Sequence, residues 1–181
     1  MKANRLIANR LTLAVLMTLG GIALAPPPAA AAIYTQCGGP GDNNQDSVPD
    51  TGANPNVKCV HLTAGDGFVT MADGYLQYIF GFKNVTGLPA SQVMTEGAYG
   101  ANFAAPTLSF DQDDEVYLNL SNVSMISRPD LPDPHSVHYH GFPNAAPVFD
   151  GVPESSIVPM EGSTMTYYYK QYDPGTYIYH C

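Results

Sequence analysis

Five histidines occur in the 181 residues, and four of them fall in two short stretches near the C-terminus. PHSVHYHGF, residues 134–142, carries His135, His138 and His140, and TYIYHC, residues 176–181, closes on His180 and Cys181. Imidazole nitrogens and a thiolate sulfur are the donors that hold zinc or copper. A closed structural zinc site would show paired cysteines or two histidines four residues apart. Several histidines with one cysteine instead suggest the two-histidine, one-cysteine copper site used for electron transfer. His61, in CVHLTAGDG, has no such company and reads as a structural residue.

Those donors must be positioned by strands. Alternate residues of a strand share a face, so His138 and His140 project together, about 6–7 Å apart, with Tyr139 opposite. His135 lies three residues earlier and cannot join that face, so it serves a different site or none. His180 and Cys181 are adjacent and face opposite ways, which lets one strand offer nitrogen to one site and sulfur to another.

Strand patterns fill the chain from residue 60 onward. In EVYLNLSN, Val116, Leu118 and Leu120 alternate with Tyr117, Asn119 and Ser121, the period of a half-buried strand. STMTYYYKQY, residues 163–172, predicts a second strand, Asp173-Pro174-Gly175 a turn, and TYIYHC a third strand. GFVTMADGYLQYIFGF reads as a hairpin broken at Asp73-Gly74. No stretch sustains a 3.6-residue period, and short strands separated by turns predict an all-β, antiparallel sandwich.

PHSVHYHG together with PGTYIYHC resembles the cupredoxin domain of the multicopper oxidases, the family of laccases and related enzymes. APTLSFDQDDEVYLNLSN resembles the segment preceding the first histidine motif in that family, so the likeness covers residues 104–181. It implies a cupredoxin-like Greek-key β-sandwich, occupying residues 61–181, in an oxidoreductase that couples one-electron oxidation of a reducing substrate to four-electron reduction of O2 to water. By the family pattern His135 and Cys181 are ligands of a type 1 (blue) copper, His138 of the type 2 copper, and His140 and His180 of the type 3 pair. The family pattern continues past the cysteine, so the sequence is expected to stop inside the domain and to leave every copper site short of ligands. A blue site in the domain directly after the leader is similar to the small two-domain oxidases, which implies a homotrimer. The reducing substrate would be a phenol or a metal ion such as Mn(II) or Cu(I). Copper nitrite reductase is the alternative enzyme, although its histidine spacing lacks the H-x-H pair. A non-catalytic cupredoxin electron carrier is the alternative outside catalysis. No further catalytic residue is singled out, and Asp150 and Glu154 in the following loop read as loop carboxylates.

The flanking sequence bears on location. Residues 1–32 hold Lys2, Arg5 and Arg10, an apolar run and an alanine-rich end, the layout of a secretory signal; the run is too short to span a bilayer. Secretion or a periplasmic location follows, with no membrane span in the mature form. The leader takes three of the seven basic residues, leaving four against sixteen acidic ones, a balance that excludes nucleic-acid binding. Residues 33–60 read as an irregular loop region, stapled by a disulfide between Cys37 and Cys59 in an oxidising compartment. Within it, Asp42 to Asp50 spaces oxygen donors as calcium loops do, but Ser47 and Ala53 stand where an EF-hand needs Gly and Glu.

Overall fold

The structure, a computed structural model, describes residues 55–143, 147–152 and 154–181. All of them belong to one compact unit, Tyr34–Cys181. The leader, both Cys37 and the Asp42–Asp50 loop lie outside the described residues.

The fold is all-β. Strands β1 (Val57–Thr70), β2 (Leu76–Asn84), β3 (Glu115–Asn122) and β5 (Thr164–Lys170) form one sheet in the order β2-β1-β3-β5. Two short strands, β4 (His138–Tyr139) and β6 (Tyr179–His180), pair antiparallel in a second sheet. Among the described residues, one helix, α1 (Ala90–Gly97), and a 3-10 turn at Pro147–Phe149 complete the elements. No helix among the described residues is long and apolar enough to cross a membrane.

The expected hairpin is present: β1 and β2 pair antiparallel from Leu62↔Asn84 to Thr70↔Leu76, and Gly74 takes the positive φ that its turn requires. Three features differ from the sequence reading. First, β1 begins at Val57, inside the segment read as irregular, because Val57–Val60 pairs residue by residue with Glu115–Leu118. Second, that β1–β3 pairing is parallel, with β2 and α1 in the crossover between them, so the sheet is mixed rather than wholly antiparallel. Third, α1 has only eight residues and buries only Val93 and Gly97, too little to register as a 3.6-residue period.

The core lies between the layers. Val60, Leu62 and Ala64 of β1, Val116, Leu118 and Leu120 of β3, and Tyr167 and Tyr169 of β5 pack with Val137, Tyr139 and Phe142 from the histidine segment. Central β3 is buried on both faces from Leu118 to Asn122, so alternation gives way to continuous burial there. On the far face of the sheet, His61 Nε2 meets Ser121 Oγ at 2.8 Å and Thr166 Oγ1 donates to Asn119 Oδ1 at 2.5 Å, which satisfies buried polar groups.

Candidate metal centre

The segment bearing His135, His138 and His140 is held from below by tyrosines. Tyr167 and Tyr169 are alternate residues of β5 and point to one face. The Val137 N–H donates to the Tyr167 hydroxyl at 3.3 Å, and the Tyr169 hydroxyl lies 3.5 Å from the Val137 carbonyl. The Tyr139 ring stacks on Tyr169 at 4.5 Å between centroids, with 22° between planes. Tyr139 thus anchors the strand in the core and leaves its two histidine neighbours on the other face. Upstream, the buried Asn122 amide donates to the carbonyls of Asp133, at 2.8 Å, and Pro159, at 3.1 Å, and so fixes the entry to His135.

Register supplies the rest. His138 sits opposite His180, and Tyr139 opposite Tyr179. The ligand atoms of His138, His140 and His180 all lie within 4.8 Å of one another, the one group of three such residues among the described residues. His140 Nδ1 and His180 Nε2 are 3.4 Å apart, and the three ring centroids are separated by 5.3–5.6 Å. His140 and His180 are exposed and His138 is half-buried. His140 follows the end of β4 in a turn, yet it still projects with His138.

His135 and Cys181 meet separately. Cys181 Sγ lies 3.7 Å from His135 Nδ1, and the Ser136 N–H donates to the same sulfur at 3.4 Å. His135 is 7 % exposed, and burial holds its pKa below the ordinary histidine value, with Asp133 and Glu161 acting in the opposite direction. A neutral ring is the form that binds a metal. Of the five residues expected to be ligands, three converge in one cluster and two in another. The clusters join through the His180–Cys181 peptide bond. His61 stays apart from both, buried against Ser121, and burial lowers its pKa to about 4.

These donors fit copper. Three imidazoles converge with no carboxylate among them, and a thiol stands beside a desolvated imidazole. His135 Nδ1 and Cys181 Sγ face each other across 3.7 Å, a separation at which both can hold one ion. The sequence reading passed over the role of one neighbour: Asp150 Oδ1 lies 3.9 Å from His138 Nδ1. Both atoms are buried and have no hydrogen-bond partner, so the carboxylate stands against the Nδ1 edge of the ring, where an outer-shell group orients a ligand. Only the placement of the 147–152 loop reveals this, since the nine residues between His140 and Asp150 carry no strand or helix period in their sequence. Glu154, the other loop carboxylate, is exposed.

A family model described as multicopper oxidase matches residues 83–181, more than half of the chain. The chain belongs to the multicopper oxidase family. Laccase-1 of Emericella nidulans is 38% identical over 96 residues, which is 52% of this chain and 14% of that protein. Multicopper oxidase MCE of Talaromyces pinophilus is 38% identical over 80 residues, 43% of this chain and 12% of its own length. The multicopper oxidase chain thus spans about a seventh of the length of these curated relatives. Among solved structures, multicopper oxidase mgLAC aligns over 69% of this chain and 32% of its own, with 24% identity and a TM-score of 0.49. A multi-copper oxidase from Pseudomonas Thermotolerans aligns over 68% and 24%, with 21% identity and a TM-score of 0.46. The family is one of copper proteins, and membership does not favour the nitrite reductase alternative.

Proposed function

We propose that this chain supplies part of the copper-binding machinery of a laccase-like oxidase. In that enzyme a small reducing substrate is oxidised one electron at a time and O2 is reduced to water. The observation that carries the reading is the division of donors at one peptide bond: His180 faces His138 and His140, while Cys181 faces His135. A carrier cupredoxin would need only the second pair.

His135 and Cys181 would hold a type 1 copper, His138 a type 2 copper, and His140 and His180 the type 3 pair. Copper held by these donors supplies one-electron redox chemistry and a place for O2 to bind. The chain's own contribution is geometric. Tyr167 and Tyr169 fix the backbone at Val137, the β4–β6 register brings His180 to His138, and Asp150 orients the His138 ring. The His180–Cys181 peptide is the shortest covalent path between the two sets of donors. Burial of His135 keeps water from competing for its ring.

Further parts of the reading rest on the sequence. The leader supports export to the periplasm or outside the cell, and the same compartment supports a Cys37–Cys59 disulfide. Phenols or low-valent metal ions suit a blue copper site as reductants. A homotrimer fits the placement of the blue-site donors in the domain after the leader. Calcium at Asp42–Asp50 rests on oxygen spacing alone.

The test is optical and magnetic spectroscopy on the intact, copper-loaded protein, with oxygen uptake measured on a phenol. An intense blue charge-transfer band, a near-ultraviolet band from the coupled pair and oxygen consumption are expected. A protein that binds copper with neither band overturns the proposal.

A further inference from the structure

Between the two histidines that serve different sites stands Ser136, 3 % exposed and part of neither set of donors. Its backbone N–H donates to Cys181 Sγ at 3.4 Å, and its hydroxyl is aimed at the same sulfur from 3.9 Å, with no other acceptor among the described residues. A buried hydroxyl needs an acceptor, and a sulfur that becomes a thiolate is a stronger one than a thiol.

The surroundings leave the hydroxyl little choice. Gly151, at φ +82, passes so close that a Cβ built on it would stand 2.5 Å from Ser136 Oγ. The loop that places Asp150 beside His138 therefore also presses on Ser136, and glycine is the residue that allows both. The backbone of the next residue, Val137, is held by Tyr167 and Tyr169, so Ser136 cannot swing away.

We propose that Ser136 is a positioning residue that sets the reduction potential of the blue site through two hydrogen bonds to the Cys181 sulfur. This rests on the type 1 assignment of His135 and Cys181 given above. Hydrogen bonds to a ligating thiolate withdraw charge from sulfur and weaken its donation to the oxidised metal. The oxidised state loses more stabilisation than the reduced state, and the potential rises. The N–H is common to any residue here except proline, whereas the hydroxyl is specific to this side chain.

The test compares intact, copper-loaded wild type with Ser136→Ala and Ser136→Thr by redox titration and visible absorption. Ser136→Ala should lower the blue-site potential and move the blue band to longer wavelength, and Ser136→Thr, which keeps the hydroxyl, should restore both towards wild type. An unchanged potential and band in Ser136→Ala overturns the proposal, as does a Ser136→Thr shift as large as that of Ser136→Ala. Should Ser136→Ala fail to fold, the wild type alone decides the matter. A hydroxyl exchanges its proton at once and the buried amide slowly, so transfer to D2O should promptly shift the copper–sulfur vibrations; no prompt shift overturns it. A wild type with no blue band overturns the copper assignment and this inference together, whereas a wild-type blue band with Ser136→Ala unmoved overturns this inference alone.

Discussion

Acid should destabilise this domain through His61, the one histidine outside the two donor clusters. His61 is 5 % exposed, and burial lowers its pKa from 6.5 to about 4. The folded state therefore resists protonation, while the unfolded chain takes up a proton near 6.5. The stability this group leaves intact above pH 6.5 is lost as pH falls from 6.5 towards 4, and no more is lost below that. The gap between 6.5 and about 4, at about 1.36 kcal/mol for each pH unit, comes to roughly 3 kcal/mol. Carboxylates add an acid slope of their own, so the decisive quantity is a difference. Urea denaturation of wild type and His61→Gln, in metal-free buffer from neutral pH down to about 4, isolates it. The wild type should lose roughly 3 kcal/mol more than His61→Gln across that range. Equal acid slopes in the two proteins would refute the reasoning, and so would a loss of bound copper in His61→Gln at neutral pH.

Other perturbations have definite expected outcomes. Tyr167→Phe and Tyr169→Phe each remove a hydroxyl from the Val137 backbone and should cost about 1 kcal/mol in thermal unfolding; no change in either would show that the clamp carries no energy. Gly97→Ala would drive a Cβ to 2.7 Å from Thr63 Cγ2 and 2.8 Å from Val123 Cγ1, and a loss of about 1–3 kcal/mol should appear in the same measurement. Asp150→Asn should weaken copper retention at the three-histidine cluster by roughly 10–100-fold in chelator competition, leaving the blue site loaded. Equal retention would mean that Asp150 does not orient His138.

The division of the four histidines and Cys181 into two clusters was legible in the sequence because their spacing coincides with strand periodicity. His138 and His140 share a face by period two, and His180 and Cys181 diverge by the same rule. The strands Glu115–Asn122 and Thr164–Lys170 and the Gly74 hairpin were legible for the same reason, since each carries its own alternation or turn residue. The parallel pairing of β1 with β3 was not, because it joins residues nearly sixty apart and depends on the crossover between them. Helix α1 was too short to carry a period. Asp150 beside His138, and Ser136 and its hydroxyl beside Cys181, depend on where an irregular loop settles, which no local pattern encodes. Tyr167 and Tyr169 were read as strand residues, but their hold on Val137 appears only once β5 lies beneath the histidine segment.

The central claim is that one peptide bond divides the donors between two different copper sites. Magnetic resonance and visible absorption of the copper-loaded intact protein carrying Cys181→Ser test it most directly. The account predicts that the blue band and its narrow resonance vanish while the type 2 signal associated with His138 persists. Survival of the blue band, or loss of both signals together, would contradict it.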